Sequence, residues 1–352
     1  RRRDRLGGGV LAAAHLVLPI PRVLPLLAQD RPLRALERAR ELKPNDVPTL
    51  IALAYAYRES RRIDEAIELL NRYDGRAQVI GGGTDLLLEI QQGRKPAVAA
   101  MVDPSRIVGL GDISEDAGHI VIGCAVTHSQ IIGDERIVQH GTCLVEACGV
   151  IGGPQVRNVA TLAGNVAHAL PAGDGTIGLL VLDGEIETTD SGGTRWMPLG
   201  DAFLGPGRSA VDHHRALLTR LRFRPTGTFE GSAFFRVMRP QGVALPMISM
   251  AACLRFDERR SIEAARIAIA PAGPVPCLAT PAMEMLSGRE ASDDLFKKAS
   301  EAALSGISLR SSKYRASREY RAEMVRAHLP RVLALATERA MTGHAVPEGV
   351  GQ

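Results

Sequence analysis

Two segments rich in small residues constrain the fold of this chain more than any other feature. The first, Gly-Gly-Gly-Thr-Asp at residues 81–85, follows the apolar run 77–80, and the second, Thr-Leu-Ala-Gly-Asn at residues 161–165, lies about eighty residues further on. Three consecutive glycines let the backbone turn tightly and direct its N–H groups into one concavity, which suits a diphosphate. We therefore expect two distant loops to close on one phosphate-bearing ligand.

Each segment also has a plainer interpretation. The 81–85 turn can be a glycine-rich connection into a helix. It is not a dinucleotide fingerprint, since the last glycine of G-x-G-x-x-G is missing, and it is not a P-loop, since no Gly-Lys-Ser/Thr is present. Segment 161–165, with the polar approach 154–158 and Asp174 at the start of the next helix, can be a surface loop with a capping carboxylate. Asp85 does not favour a phosphate directly and is expected either to hold its loop or to accept a hydrogen bond from a donor.

Length and composition indicate a globular protein with several domains. At 352 residues the chain is long enough for two or three domains. Hydrophobic residues make up 45% of the chain and charged residues 23%, which is typical of a protein with a core. The net charge is only +4, and the basic residues are spread among acids apart from a short basic terminus at 1–5. Nucleic acid is therefore not an expected partner.

The cysteines and the N-terminal apolar stretch indicate the cellular compartment in which the protein is expected. The five cysteines form no C-x-x-C pair, and no histidine lies at a metal-ligand spacing from them. We expect small buried thiols in a reducing compartment, with no metal or iron–sulfur cluster on this chain. The apolar stretch 10–28 is interrupted by prolines, so it favours neither a membrane span nor a signal peptide. We expect a cytoplasmic protein.

The sequence pattern divides the chain into four parts. Residues 1–48 are predicted to form an N-terminal helical extension, 50–224 a larger domain, 228–340 a smaller C-terminal domain, and 341–352 a flexible tail. The stretch 35–70 resembles one tetratricopeptide unit, but a single unit cannot bury its own apolar face. In the C-terminal domain strands come first and helices last, which indicates an α+β fold with an antiparallel sheet of three or more strands.

Periodicity and turn residues predict the elements within these domains. Strands are expected at 77–80, 97–102, 119–123 and 217–223, in a hairpin from 185–189 to 194–197, and at 233–238, 251–256 and 262–270. Helices are expected at 63–70, 86–91, 137–149, 175–182, 280–287, 293–304 and 316–340. The hinge between the two domains is expected at residues 225–228.

Catalysis by side chains has little support in the sequence. Ser129 beside His128 and the histidine pair 213–214 have no third partner at a recognisable spacing, and no paired-carboxylate or H-E-x-x-H pattern stands out. Arg236 and Arg239 lie on a predicted strand, and a solvated strand face is their default interpretation. The chemistry of this chain is therefore expected to come from a bound redox cofactor.

Several ordered motifs resemble one family. They are VIGGGTDLL at 79–87, IGCAVT at 122–127, PQVRN at 154–158, TLAGN at 161–165 and PAGD at 171–174, followed by Tyr320-Arg321 near the end of the chain. In this order they resemble the FAD-binding medium subunit of the molybdenum hydroxylases, the family of xanthine dehydrogenase and carbon monoxide dehydrogenase. The resemblance covers about residues 50–340.

The resemblance implies a FAD-containing subunit of an oxidoreductase, assembled as a dimer of heterotrimers. The substrate would be oxidised at a molybdopterin centre on a large subunit. Electrons would pass through [2Fe–2S] clusters on a small subunit to FAD on this chain, and from FAD to an external acceptor. FAD would lie between a two-lobed domain at 50–224 and the C-terminal domain. No residue of this chain need act on the organic substrate.

The resemblance also assigns cofactor-binding roles. The loops 81–85 and 161–165 would bind the diphosphate and ribityl portions of FAD, and Asp174 and Thr127 would line the same site. Arg236 stands where relatives usually carry a flavin-contacting lysine, and a Cβ at Gly83 is expected to crowd the diphosphate. The assigned residues are Gly81, Gly82, Gly83, Thr84, Asp85, Thr127, Thr161, Ala163, Gly164, Asn165, Asp174 and Arg236.

The chain departs from the family pattern in several places. Arg236 replaces the usual lysine, the aspartate usual shortly after Arg239 is absent, Ser60 replaces a proline, and residues 1–48 have no counterpart. Two alternative functions stay open. One is a stand-alone flavin oxidase or dehydrogenase with its own substrate pocket, and the other is an interaction protein built on the tetratricopeptide-like stretch. The external acceptor can be NAD, oxygen or a quinone.

Overall fold

The computed structural model of the protein describes residues 62–238 and 245–349. The predicted extension 1–48, most of the repeat-like stretch 35–70, and the positions of Ser60 and Arg239 lie outside the described residues. The described chain forms a larger N-terminal domain and a smaller C-terminal domain of the α+β class.

The N-terminal domain contains many short elements. In chain order they are α1 (Ile63–Arg72), β1 (Ala77–Val79), α2 (Thr84–Gln91), β2 (Ala100–Val102), a 3₁₀ turn (Pro104–Arg106), β3 (Ile113–Asp116), β4 (His119–Gly123), α3 (His128–Gly133), α4 (Glu135–His140), α5 (Thr142–Gly149), α6 (Pro154–Arg157), α7 (Leu162–Ala167), α8 (Asp174–Val181), β5 (Glu185–Asp190), β6 (Gly193–Pro198), a second 3₁₀ turn (Leu199–Ala202), β7 (Phe203–Gly205), β8 (Arg208–Ser209) and β9 (Leu217–Phe223).

The first lobe of this domain is built on a parallel pair of strands. β1 and β2 pair in register, with Ala77 opposite Ala100. The amphipathic helix α1 packs against them and buries Ala66 and Leu70, because its apolar residues recur at helical spacing. Its acids lie in the first turn, at the positive end of the helix dipole.

The second lobe is a five-stranded antiparallel sheet in the order β3-β4-β9-β5-β6. The central strand β9 buries Leu217, Leu221 and Phe223, while Arg220 and Arg222 are only partly buried on the opposite face. This alternation is the period expected of a strand with one face on the core. β7 and β8 form a separate short hairpin.

The C-terminal domain has strands first and helices last, as predicted. Its elements are β10 (Glu230–Met238), β11 (Pro246–Phe256), β12 (Ile262–Ala270), β13 (Cys277–Leu278), α9 (Thr280–Leu286), α10 (Asp293–Gly306) and α11 (Arg318–Thr342). The four strands form one antiparallel sheet in chain order, and α11 packs on β10 and β11. Gly231 is required for this packing, because a Cβ there would overlap the Ala336 carbonyl oxygen.

The two domains meet at buried helices. Every residue of α5 and of α8 is buried. α8 lies against α5 in its own domain and against β11 and β12 of the C-terminal domain. Gly178 permits the close approach of α8 to α5, because a Cβ there would lie 3.2 Å from the Leu144 Cα. Asp174, at the first position of α8, is therefore held at the domain interface.

Two predicted segments differ from the structure. The single helix expected at 137–149 is two helices, because Gly141 between them has a non-helical backbone and a Cβ there would meet the Phe223 ring at 2.8 Å. Part of the tail expected at 341–352 is ordered on the domains, since α11 continues to Thr342 and both Val346 and Glu348 are hydrogen bonded to them. None of the helices in the described ranges is both long and apolar enough to cross a bilayer.

Candidate functional site

A cleft of about 940 Å³ opens between the N-terminal and C-terminal domains. Residues 78–86, 160–161 and 163–165 line it from the N-terminal domain, and Arg236 and Leu245 line it from the C-terminal domain. The two segments that the sequence analysis singled out therefore share one cavity, although about eighty residues separate them in the chain.

The first loop, residues 81–85, connects β1 to α2. Gly82 packs so closely on the second segment that a Cβ would overlap the Val159 carbonyl oxygen and lie 2.8 Å from the Ala160 Cα. A Cβ at Gly81 would meet the Thr161 hydroxyl oxygen at 3.0 Å. The glycines thus allow the two segments to touch through their backbones, which is the close approach that glycine makes possible.

Gly83 has a different role from the predicted one. Its φ of +70° is in the left-handed region, and it forms the N-cap of α2. A Cβ there would lie 2.9 Å from the Leu87 side chain and 3.0 Å from the Ile80 side chain. Glycine is therefore needed at this position for its backbone conformation and for packing.

The second loop, residues 161–165, begins the short helix α7. The Thr161 hydroxyl caps this helix by accepting from the Gly164 N–H at 3.0 Å. The Asn165 Oδ1 accepts from both the backbone N–H and the hydroxyl of Thr176, at 3.1 and 3.0 Å, which ties the loop to α8. The Asn165 amide nitrogen has no hydrogen bond to any residue in the described ranges, and Ala163 and Gly164 line the cleft beside it.

Two assigned residues lie differently from the expectation. Thr127 is absent from the lining of the cleft; its hydroxyl forms a capping box with Gln130 at the start of α3, and its backbone bridges to Thr161. Thr127 therefore contacts the second loop through its backbone without lining the cleft. Asp85 lines the cleft and is exposed, but its carboxylate makes no hydrogen bond within residues 62–238 and 245–349, so it does not hold the loop.

Asp174 and Arg236 form a buried ion pair across the domain interface. Arg236 Nη1 donates to Asp174 Oδ2 at 2.8 Å, and the Ser249 hydroxyl donates to Asp174 Oδ1 at 2.6 Å. The two charged side chains are 5% and 6% exposed, so the solvated strand face expected for Arg236 is wrong. Burial raises the pKa of Asp174, and the positive charge of Arg236 opposes this shift. The Arg236 Nε is buried without a hydrogen-bond partner among the described residues.

Several lining residues were missed from the sequence. Lys95, Arg208 and Arg315 contribute positive charge, and His128 and His213 contribute imidazoles. Burial lowers the pKa of both histidines to about 4, so both are neutral at neutral pH. No motif spacing links these residues, because they reach the cleft from four separate segments of the chain.

The cleft has the features of a site for a large ligand with an anionic bridge. Its volume falls within the range of about 300–1,000 Å³ usual for cofactor sites. Apolar side chains such as Val98, Leu204 and Leu245 line it together with basic ones and with the glycine loop. The residues present therefore fit a large, partly apolar ligand that carries an anionic group. Among the described residues no three His, Cys, Asp or Glu side chains are grouped to hold a metal ion.

Comparison with known families agrees with this geometry. A family model described as the FAD binding domain in molybdopterin dehydrogenase matches residues 53–224. A second, described as the CO dehydrogenase flavoprotein C-terminal domain, matches residues 233–336.

Similar proteins come from several bacteria. The xanthine dehydrogenase FAD-binding subunit of Escherichia coli O157:H7 is 28% identical over 287 residues, which are 81% of this chain and 97% of that subunit. The nicotinate dehydrogenase FAD-subunit of Eubacterium barkeri is 31% identical over 203 residues, or 56% of this chain and 68% of that subunit. A solved structure of carbon monoxide dehydrogenase from Oligotropha carboxidovorans superposes with a TM-score of 0.74 at 25% identity, covering 80% of this chain and 96% of that chain.

Proposed function

The chain belongs to the family of FAD-binding subunits of molybdenum hydroxylases, and from this premise we propose that it transfers electrons between a partner subunit and an external acceptor. The observation that carries the proposal is the convergence of the two glycine-bearing loops on one cleft between the domains. Bound FAD would supply the redox chemistry, taking electrons from [2Fe–2S] clusters and releasing them to the acceptor.

We propose specific tasks for the residues of the cleft. The backbone N–H groups of the 81–85 loop would bind the diphosphate, with the Thr84 hydroxyl as a further donor. The amide of Asn165 would donate to the cofactor, since its carbonyl is already used by Thr176. Arg236, held by Asp174, would face the flavin ring from the C-terminal domain. The other cofactor contacts would come from Gly81, Gly82, Gly83, Asp85, Thr161, Ala163 and Gly164.

We propose that the partners are a molybdopterin-binding large subunit and a [2Fe–2S] small subunit, in a dimer of heterotrimers. The names of several relatives, such as the carbon monoxide dehydrogenase medium chain of Hydrogenophaga pseudoflava, support a place in a larger assembly. We also propose a cytoplasmic location, which the five free cysteines support. The domain limits 50–224 and 228–340 are proposed on the same grounds, since the family matches cover 53–224 and 233–336.

The test is the visible spectrum of the purified chain, followed by mass spectrometry of what it releases on heating. We expect a flavin spectrum and the mass of FAD, with reduction of the bound flavin by the organic substrate only when both the molybdopterin-binding subunit and the iron–sulfur subunit are added. A colourless protein would contradict the proposal. Steady turnover of a small substrate by the isolated chain would favour a stand-alone flavin enzyme.

Gly82→Ala tests the loop assignment. Because a methyl group there would overlap the Val159 carbonyl, the two loops must separate, and overpacking of this kind costs about 1–3 kcal/mol. We expect the Kd for FAD, measured by quenching of flavin fluorescence, to rise about tenfold to a hundredfold. Gly200→Ala is the matched control, since nothing lies within 4 Å of a Cβ at that exposed glycine. Equal Kd values for FAD in the two variants would contradict the assignment of these loops to the FAD site.

A further inference from the structure

The basic side chains of the cleft differ in how their charge is balanced. Lys95 pairs with Glu89 at 3.1 Å, and Arg236 pairs with Asp174 at 2.8 Å. Arg315 is engaged in an interaction of its own. Arg208 makes no ion pair and no side-chain hydrogen bond with any residue in 62–238 or 245–349, although it lines the same cleft.

The hairpin that carries Arg208 is docked on the second cofactor loop. Arg208 begins β8 and pairs with Gly205 across the hairpin. The Gly207 N–H donates to the Ala169 carbonyl at 2.9 Å, just beyond the end of α7. Since α7 has six residues, its ends are about 9 Å apart, so the hairpin lies one short helix away from the contact between the two loops. The hairpin of Arg208 is thus joined through its backbone to the end of the helix that the second loop begins.

The N-terminal domain supplies a continuous run of lining residues that includes Arg208. Arg208 is followed along the chain by the lining residues 209–214, and the His213 carbonyl accepts from the Val79 N–H at 3.1 Å, next to the first loop. Arg236, Leu245 and Arg315 line the cleft from the other domain. If the flavin ring contacts Arg236 of the C-terminal domain, the adenosine half of the cofactor is left for lining residues of the N-terminal domain, Arg208 among them.

We infer that Arg208 binds the adenosine-side phosphate of FAD and thereby selects FAD over FMN. The inference rests on the proposed function and adds a residue to it. An unbalanced guanidinium in a partly apolar cleft gains a charge-assisted hydrogen bond when an anion arrives, and FAD carries a second phosphate that FMN lacks. The other cleft cations that pair with carboxylates do not offer the same gain.

The experiment measures the Kd of the apo protein for FAD, FMN and ADP by titration calorimetry. For Arg208→Gln we expect the Kd for FAD and for ADP to rise about tenfold, with the Kd for FMN unchanged. Arg208→Lys should recover part of the loss, because it keeps the charge. Added salt should weaken FAD binding less in Arg208→Gln than in the wild type. Arg259→Gln is the control, since Arg259 is an exposed arginine on the turn between β11 and β12, away from the cleft.

Two results would overturn the inference while leaving the proposed function intact. One is unchanged FAD binding by Arg208→Gln, which would mean that Arg208 does not touch the cofactor. The other is an equal loss for FAD and FMN, which would place Arg208 at the flavin side or make its effect structural. A wild-type protein that binds none of the three ligands would reject the proposed function itself.

Discussion

Two buried ion pairs join the domains of this molecule, and they differ in how completely they are satisfied. The sealed pair is Glu146 with Arg339, and the cleft pair is Asp174 with Arg236. In each pair the carboxylate comes from the N-terminal domain and the guanidinium from the C-terminal domain, and no side chain in either pair is more than 6% exposed.

The sealed pair has donors on both carboxylate oxygens. Glu146 Oε1 accepts from Arg339 Nη2 at 2.6 Å and from the Glu348 N–H at 2.7 Å. Glu146 Oε2 accepts from Arg339 Nη1 at 3.2 Å and from the Phe234 N–H at 2.8 Å. Burial raises the pKa of Glu146, and Arg339 opposes that shift. Neither side chain lines the cleft between the domains.

The cleft pair is held by fewer bonds and faces the cavity. Asp174 has one donor on each oxygen, and Arg236 keeps a buried Nε without a partner in the described part of the chain. A buried polar atom left unpaired is costly unless something else satisfies it. The comparison therefore separates a pair whose carboxylate oxygens each have two donors from a pair that leaves one buried donor unsatisfied and lines the cleft.

The largest effect is expected from breaking the sealed pair. Arg339→Met leaves the Glu146 carboxylate buried without its counter-charge, which typically costs about 3–5 kcal/mol. We expect the free energy of unfolding, measured in urea without FAD, to fall by that amount.

The double variant Glu146→Gln with Arg339→Met is the control for that measurement. It removes both charges, so it should recover a large part of the lost stability. If the single variant loses less than about 1 kcal/mol, the sealed pair has no structural role.

Acidification is expected to lower the stability of the protein through His128, which lines the cleft. His128, 1% exposed, hydrogen bonds through Nδ1 to the Cys148 sulfur at 3.3 Å, and burial followed by the charge of Arg157 lowers its pKa from 6.5 to about 4. A lowered pKa favours the folded state above the unfolded value of 6.5, and this contribution is lost as the pH falls through about 4. At 1.36 kcal/mol per pKa unit, the loss is about 3 kcal/mol.

His128→Gln isolates this contribution. The variant cannot gain the charge, so its unfolding free energy should fall less than that of the wild type between pH 6.5 and pH 4, by about 3 kcal/mol. His344→Gln, at an exposed histidine, should follow the wild-type curve. Parallel curves for His128→Gln and the wild type would show that His128 is not buried in the neutral form.

Local patterns in the sequence predicted most of the fold. The strand β9 lies at the predicted 217–223, and the hairpin of β5 and β6 follows its glycine turn, because alternation and turn residues act over a few positions. The helix break at Gly141 was missed, since it depends on the Phe223 ring, which is distant in sequence. A contact between residues that are distant in sequence cannot be inferred from a local pattern.

The same reasoning applies to the site. The two glycine loops were found because each is a short continuous motif, and the resemblance identified FAD, which the family matches support. The burial of Arg236 was missed because its partner Asp174 lies in another domain, and the position of Arg208 was missed because a lone arginine in a hairpin has no motif. Which cations of the cleft have carboxylate partners can be seen only in the folded structure, where the segments that carry them come together.

The smallest effect on stability, and the most selective one, is expected from Arg236→Met. Asp174 lines an open cleft, where water can replace the lost donor, so we expect the apo protein to lose about 2 kcal/mol, less than Arg339→Met. The rise in unfolding free energy on adding a fixed concentration of FAD should also shrink, because that rise depends on the ratio of ligand concentration to Kd. In Arg339→Met, by contrast, the rise should persist. Arg236→Lys keeps the charge and should restore most of the FAD-dependent rise, and if both methionine variants lose the rise equally, the two ion pairs do not differ in function.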